Sequence, residues 1–260
     1  TGAMVNPHLF DYAERFNICG NKVRHSDISS IWKNILLPHS LDRAEKDVSH
    51  ALTFAEAGIL IALHLFDQYA VRWAIIETGV GGRYAPTMAI DPEICLLTNI
   101  GNDHPHTLGS SSWQVALEKA GITRDQRILL TTAADEHLEY IRSVADEKGG
   151  RVIQISNEEQ NDLRQKITGY KDSRLIQGNF APGDHWYKNA SLALQTALRF
   201  EPDLDLNDAI PRMAAMSRLP GRFWQKDENL IVDVAHNPDK LAVLANDLKS
   251  KFPDRKYSLV

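Results

Sequence analysis

The chain has 260 residues, 43% hydrophobic and 24% charged, a composition typical of a globular protein with one large or two smaller domains. Its net charge of −5 and its scattered lysines and arginines argue against a nucleic-acid-binding protein. Cys19 and Cys95 lie far apart without a CxxC motif, which argues against a disulfide framework or a zinc site and favours a reducing cytoplasm. No stretch is expected to cross a membrane, because the most apolar one, residues 51–66, is interrupted by Glu56 and His64.

Apolar patterning predicts an α/β protein with a mostly parallel sheet flanked by helices. In chain order the predicted elements are helices at 25–37 and 47–69, strands at 73–76 and 94–98, a helix at 111–120, a strand at 127–130, a helix at 135–147, a strand at 151–155, a small antiparallel hairpin at 160–178, helices at 186–200 and 206–216, a strand at 229–234, a helix at 240–250 and the beginning of a strand at 256–260. Ser26 is the predicted N-cap of the first helix and Pro38 its stop.

The element order also predicts two domains. Residues 1–219 form a central domain, and residues 220–260 form the opening of a second α/β domain of Rossmann-like type. The boundary is expected near residues 219–221, at a Leu-Pro-Gly sequence.

Polar residues follow two of the predicted parallel strands, at the edge where ligands of such sheets bind. Glu77 precedes the glycine turn of Gly79, Gly81 and Gly82, and His104 follows the next strand. Glycines let backbone amides approach an anion, and Glu77 with His104 could hold a metal ion. Two other interpretations also stay open: a tight turn in which Glu77 is a cap, and a hydrogen-bonded loop histidine at His104, which is the default for a lone histidine.

Lys119, on the helix that follows, would by itself be an ordinary solvated lysine. No phosphate-binding loop of the form GxxxxGK[ST] occurs in the sequence, which contains no Gly-Lys pair. A phosphoryl-transfer enzyme needs such a cradle. This chain alone is therefore expected to be inactive.

Taken in order, a series of segments resembles the folylpolyglutamate synthase and dihydrofolate synthase branch of the Mur ligase superfamily. The segments are Asn-Pro-His-Leu at 6–9 with Tyr-Ala-Glu-Arg-Phe at 12–16, Leu-Thr-Phe-Ala-Glu at 52–56, Glu-Thr-Gly-Val-Gly-Gly-Arg at 77–83, Thr-Asn-Ile-Gly-Asn-Asp-His at 98–104, Glu-Lys-Ala-Gly-Ile at 118–122, His185 with Asn189, Pro-Gly-Arg at 220–222 and Asp-Val-Ala-His-Asn-Pro at 233–238. The resemblance covers nearly the whole chain. It implies a Mur-ligase-like central domain, with the phosphate-binding loop just before Thr1 and the C-terminal domain continuing past Val260.

The resemblance also implies an activity. ATP would phosphorylate a folate-like carboxylate, and L-glutamate would attack the acyl phosphate, with Mg²⁺ as the metal cofactor. Partners would be these small molecules, without nucleic acid or membrane, and the protein is expected to be a cytoplasmic monomer. The implied site residues are Glu77, His104 and Lys119 for catalysis and metal binding, with Lys119 in the position of the family's carbamylated lysine, Asn6 as a further metal ligand, Asn189, Arg222, Asp233 and His236 for ATP, and Thr53, Phe54, Glu56, Arg83 and Tyr84 for the acid substrate.

Four departures from the family pattern bear on the substrate. Asn6 replaces a serine, Tyr84 to Met88 replaces Leu-Asp-Ala-Thr-Asn, Trp186 replaces a glutamine, and Val234 replaces a glycine. Two alternatives therefore stay open beside the folate-type ligase. One is a non-catalytic binding module or pseudoenzyme, and the other is a Mur-type ligase for a different acid.

Overall fold

The computed structural model describes residues 1–101, 104–169, 183–215 and 221–259. The chain divides into two compact units, Thr1–Asp91 and Pro92–Val260. The predicted boundary at residues 219 and 220 lies outside the described residues, and the division into domains 1–219 and 220–260 stays a prediction.

The first unit contains a four-stranded sheet in the order β3-β2-β1-β4. Its strands are β1 (Gly2–Met4), β2 (Phe16–Ile18), β3 (Asn21–Lys22) and β4 (Ala74–Ile76). Strands β2 and β3 form a hairpin through Cys19 and Gly20, whose φ angles of 49° and 85° suit a two-residue turn. Strand β4 runs parallel beside β1, with Met4 opposite Ile76, so the carboxyl ends of both strands lie at the same edge.

The first unit also contains the helices α1 (His25–Ile31), α2 (Leu37–Lys46) and α3 (Phe54–Gln68), of which α3 packs against β1. A π-helical turn, Trp32–Leu36, carries the chain from α1 directly into α2. Pro38 does not stop a helix as predicted, because the π-helical turn before it continues the helical backbone into α2. Ser26 is not the N-cap either, since α1 follows Arg24 and has no side-chain cap bond.

Helix α3 is the centre of the first unit's core. Ala62 and Leu65 are completely buried, and a Cβ atom added to Gly2 would come within 2.5 Å of the Phe66 ring. The glycine therefore lets β1 approach the helix. The stretch Val48–Gln68 is long and apolar enough to cross a membrane, so the prediction that no stretch qualifies is wrong by those measures. 33% of its apolar window is buried, and Ile59, Ala62 and Leu65 of this stretch pack in the core of the first unit.

The second unit opens with three parallel strands in the order β5 (Ile94–Leu97), β6 (Ile128–Thr131) and β7 (Arg151–Gln154). The connections contain the short helix α4 (Pro105–Leu108), α5 (Ser112–Ala120) and α6 (Asp135–Glu147). Buried side chains from the strands and helices form the core: Cys95, Leu97, Ala120, Leu129, Ala133, Ile141 and Val144. The predicted α/β class, with a parallel sheet flanked by helices, is confirmed.

Helices α7 (Asn157–Gly169), α8 (Asp184–Phe200) and α9 (Leu206–Ala215) follow. The predicted hairpin at 160–178 is wrong over residues 160–169, and its remainder lies outside the described residues. Leu163 and Ile167 are buried whereas Gln165 between them is exposed, which fits one face of a helix and not a strand, where all three would share a face.

The last described elements are the antiparallel pair β8 (Trp224–Gln225) and β9 (Ile231–Val232) and the helix α10 (Pro238–Lys251). They occupy the segment in which the sequence predicts the opening of a second α/β domain. The strand predicted from residue 256 is not formed over residues 256–259.

Candidate functional site

In the first unit, Asn6 and Glu77 meet at the carboxyl edge of the parallel pair β1 and β4. The Glu77 amide donates to the Met4 carbonyl oxygen (2.9 Å), which continues the strand pairing by one step. The Asn6 amide donates to Glu77 Oε2 (2.6 Å), and Asn6 Nδ2 donates to the Glu77 carbonyl oxygen (3.1 Å). The exposed Glu77 carboxylate is thus held by main-chain geometry at the edge where ligands of parallel sheets bind.

A second layer of polar side chains lies behind this pair. Arg15 donates from Nη1 to Asn6 Oδ1 and from Nε to His8 Nδ1 (2.9 Å). Because a guanidinium only donates, His8 Nδ1 must accept. The Asn6 oxygen already accepts one hydrogen bond, so its predicted role as a metal ligand would have to use its remaining lone pair.

The glycine turn after Glu77 is open on one side. A Cβ atom added to Gly79 would meet nothing within 4 Å, whereas Gly81 has a φ of 72°, a conformation that favours glycine. The turn leads into the short 3₁₀ helix Pro86–Ala89, whose N-cap is Ala85. The alternative in which Glu77 caps a following helix is therefore excluded.

Two of the predicted substrate residues have a structural task. Thr53 and Glu56 form a capping box at the start of α3: Thr53 Oγ1 accepts from the Glu56 amide (3.3 Å), and Glu56 Oε2 accepts from the Thr53 amide (2.8 Å). The hydrogen bond from the Thr53 amide lowers the pKa of Glu56 below its ordinary value.

The aromatic candidates differ from these. Phe54 is 61% exposed, and its ring lies 5.0 Å from the guanidinium carbon of Arg15. Tyr84 is 84% exposed, and Arg83 is also exposed. Phe54 is therefore adjacent to the Asn6–Glu77 pair through Arg15, and its ring is accessible to a ligand.

His104 and Lys119 belong to the second unit. His104 has a left-handed backbone (φ 50°) immediately before α4, and its side chain is exposed. Lys119 lies in the last turn of α5 and is half-buried. Asp103 lies outside the described residues. Among the described residues there is no cluster of three or more His, Cys, Asp or Glu side chains able to hold a metal, so the predicted set of Glu77, His104 and Lys119 stays a prediction.

The predicted ATP residues lie around the start of α10 and on α8. Both oxygens of Asp233 accept main-chain hydrogen bonds, from Phe223 (2.6 Å) and Ala235 (2.7 Å). Asp233 therefore joins two strand-end segments, whatever else it binds. His236 Nδ1 pairs with the Val234 carbonyl oxygen (2.8 Å) and must carry the proton, which leaves Nε2 as an acceptor 3.3 Å from Lys240 Nζ. Arg222 and Asn189 are both exposed.

Asp239, in the first turn of α10, links two of the predicted segments. A Cβ atom added to Gly101 would lie 3.1 Å from Asp239 Oδ2. The loop after β5 and the start of α10 therefore meet within the second unit. Neither Asp239 nor Arg15 was identified as a site residue from the sequence, although Arg15 lies inside one of the quoted segments.

A cavity of about 700 Å³ lies along α6. Its walls include Asp135, Leu138, Arg142 and Gln154, and it contains none of the predicted site residues. We therefore assign the site to the strand ends instead.

Comparison with known proteins gives one family. Residues 28–197 match the protein-family model of the Mur ligase middle domain. The chain is 31% identical over 251 residues to the dihydrofolate synthase/folylpolyglutamate synthase of Escherichia coli, covering 96% of this chain and 57% of that protein. It is 28% identical over 264 residues to a probable bifunctional folylpolyglutamate synthase/dihydropteroate synthase of Haloferax volcanii, covering 95% of this chain and 30% of that protein.

Solved structures agree with the sequence matches. The folylpolyglutamate synthase of Mycobacterium tuberculosis, complexed with ADP and AMPPCP, superposes with a TM-score of 0.79 at 25% identity, covering 96% of this chain and 60% of that one. A bifunctional folylpolyglutamate synthase/dihydrofolate synthase from Yersinia pestis, complexed with AMPPNP and Mn ion, gives a TM-score of 0.71 at 28% identity, with coverages of 96% and 58%. The chain thus spans well under two thirds of these relatives.

Proposed function

Since this chain belongs to the Mur ligase middle-domain family, we propose that it is the central part of an ATP-dependent ligase that joins L-glutamate to a folate-like carboxylate. The observation that carries the proposal is the Asn6–Glu77 pair, which places an exposed carboxylate at the carboxyl edge of two parallel strands and next to an open glycine turn. The relatives named as dihydrofolate or folylpolyglutamate synthases support the choice of substrate.

The proposed reaction has two steps. A substrate carboxylate oxygen attacks the γ-phosphorus of ATP, and ADP leaves with the bridging electrons. The amino group of glutamate then attacks the resulting acyl phosphate through a tetrahedral intermediate, phosphate leaves, and an amide bond remains. Water must be excluded between the two steps, because it would hydrolyse the acyl phosphate.

The first unit offers a residue that fits a divalent cation. Glu77 is exposed, and the Asn6 amide donates to one of its two carboxylate oxygens, Oε2. Mg²⁺ is often held by one or two carboxylates while it keeps several waters, so a single exposed carboxylate fits. Bound Mg²⁺ would neutralise charge on the phosphates. The Mn ion in the Yersinia pestis complex supports a divalent metal.

His104 as a second metal residue and carbamylated Lys119 as a further anion are parts of the same proposal. Only the neutral amine of a lysine reacts with CO₂. In the ATP site, Asn189, Arg222 and His236 would contact the nucleotide. Asp233, whose two oxygens accept from the main chain, would use its other lone pairs for the ribose hydroxyls.

The remaining proposals concern the setting. We infer a cytoplasmic monomer that works on small molecules and not on nucleic acid or membranes. The free thiols of Cys19 and Cys95 support a reducing compartment. The net charge of −5 argues against binding to nucleic acid. The sequence contains no phosphate-binding loop. We therefore expect this segment alone to bind ATP weakly, and the activity to require the longer protein.

The test uses the full-length gene product that contains this segment. It is incubated with ATP, Mg²⁺, L-glutamate and either a pteroate or a reduced folate, and ADP and the glutamylated product are measured. Formation of both products only when the acid and glutamate are present supports the proposal. ADP release with a peptidoglycan-type acid instead would favour a Mur-type ligase. Tight folate binding without turnover would favour a binding module.

A further inference from the structure

Arg15 clamps the segment that carries Asn6 at three points. Its Nη1 donates to Asn6 Oδ1, its Nε donates to His8 Nδ1 (2.9 Å), and its carbonyl oxygen accepts from the Val5 amide (2.9 Å). The guanidinium is planar and rigid, so its two donors reach two acceptors that are two residues apart in the chain. One residue therefore fixes the path of residues 5–8.

An aromatic platform holds the guanidinium in place. The guanidinium carbon lies 5.0 Å from the Phe54 ring centre and 5.8 Å from that of Tyr12, and these two rings are 5.4 Å apart. Cation–π attraction to both rings, together with the flat shape of the group, selects one orientation. A lysine at this position could supply the charge but not two donor nitrogens held in one plane.

The clamp is connected to Glu77 through Asn6. The Asn6 side chain accepts from Arg15 with its oxygen and donates to the Glu77 carbonyl oxygen with its nitrogen (3.1 Å). Its main-chain amide donates to Glu77 Oε2 (2.6 Å). A change at Arg15 would therefore reach the Glu77 carboxylate by way of Asn6.

We propose that Arg15 is a positioning residue for Glu77 and that Asn6 relays its effect. The structural part of this inference stands on the contacts of the first unit. Its catalytic part rests on the proposed function, in which Glu77 is a catalytic and metal-binding residue.

The first experiment measures structure and not activity. Amide hydrogen exchange of this chain is followed by NMR in the wild type and in Arg15→Gln, Arg15→Lys and Arg72→Gln. Arg72 is a matched control, because its guanidinium also lies over an aromatic ring of the first unit, that of Trp73 (5.4 Å). Exchange at the Val23 amide, which donates to the Phe16 carbonyl oxygen (3.2 Å), reports general loosening of the unit.

We expect exchange at the Asn6 amide to accelerate by about tenfold or more in both Arg15 variants, with little change at Val23. The Lys variant should behave like the Gln variant because it loses the paired donors. Unchanged exchange at Asn6, or equal acceleration at Val23, would overturn the inference. If Arg15→Gln does not fold, Arg15→Lys decides the matter.

The second experiment is a double-mutant cycle on kcat in the full-length protein with Arg15→Gln and Asn6→Ala. If Arg15 acts through Asn6, each change lowers kcat about tenfold and the double variant loses no more, whereas independent effects would multiply to about a hundredfold. Multiplicative losses would mean that Arg15 acts on a substrate directly, and the relay would be wrong. A protein without ligase activity but with the expected exchange at Asn6 would contradict the proposed function and leave the positioning intact.

Discussion

Replacing Glu77 by glutamine separates the two tasks of this side chain. The amide has nearly the same shape as the carboxylate, and its oxygen can still accept the hydrogen bond from the Asn6 amide, which is 2.6 Å long in the wild type. The negative charge that would attract a divalent cation is lost. We therefore expect a small effect on stability and a large one on activity.

The expected losses of stability and of kcat follow from the surroundings of Glu77. A hydrogen bond to a charged group contributes about 1.5–3 kcal/mol at best, and solvent exposure with retention of a neutral acceptor should reduce the loss to below about 1 kcal/mol. At about 2–4 °C per kcal/mol for a chain of this size, the melting temperature should fall by no more than about 4 °C. Removing charge stabilisation from the phosphoryl-transfer step should lower kcat by about a hundredfold or more.

The assay is glutamate-dependent ADP release by the full-length protein, with melting temperatures measured in parallel. Glu159→Gln is the matched control, because the exposed Glu159 also accepts a main-chain hydrogen bond, from the Ser156 amide (2.7 Å), at the start of α7. It should change stability to a similar extent and leave kcat unaltered. Full activity in Glu77→Gln, or equal losses of kcat in both variants, would refute the assignment of Glu77.

Three further predictions concern the first unit, and each is checked by urea unfolding. Leu65→Ala should destabilise the unit by about 2–5 kcal/mol because Leu65 is completely buried, whereas Leu63→Ala on the exposed face of the same helix should cost far less; similar losses would contradict the assignment of the buried face. Thr53→Ala should cost about 1 kcal/mol by removing one half of the capping box, and an unchanged midpoint would contradict that role of the cap. The side-chain hydrogen bond from Lys22 (2.5 Å) holds the pKa of Asp11 at about 2, below its ordinary value of 3.8. Since the folded state lowers this pKa, the stabilisation is complete above pH 3.8 and is lost as the pH falls towards about 2, so the difference in stability between wild type and Asp11→Asn should shrink over that range. A difference that stays constant with pH would contradict it.

Much of the fold could be predicted from the sequence where the apolar residues follow one clear spacing, either that of a helix or that of a strand. The helix at 135–147 and the strands near 74–76 and 94–97 are formed close to where their apolar patterns predict them. The error at 160–169 has a different cause, because polar residues fill most of α7 and, among residues 157–167, whose burial is described, only Leu163 and Ile167 are buried. With two apolar residues in the window, the alternation looked as much like a strand as a helix.

The site also contains residues that could be found from the sequence and residues whose role appears only in the folded chain. Glu77 could be found because it lies at a strand end, next to a glycine turn that is contiguous in sequence. Arg15 could not be assigned a role, because that role depends on Asn6 and on the partner of Asn6, Glu77, which lies 71 residues further along the chain. Only the parallel pairing of β1 and β4 brings those two residues together.

The pairing also gives a physical meaning to the departure at Asn6. A serine in that position has a single oxygen on Cβ, so any bonds to Arg15 and to the Glu77 carbonyl oxygen would have to share one atom. Asparagine carries an acceptor and a donor on separate atoms, one bond further out, and in the structure it uses both at once. In the sequence, Asn6 replaces a serine that the family has near the metal. In the folded chain, the Asn6 side chain bridges Arg15 and the carbonyl oxygen of Glu77. On that basis Asn6→Ser should break the bridge and loosen the Glu77 carboxylate, so that amide exchange at position 6, measured by NMR, accelerates as in the Arg15 variants. Unchanged exchange at position 6 would contradict this role of the bridge.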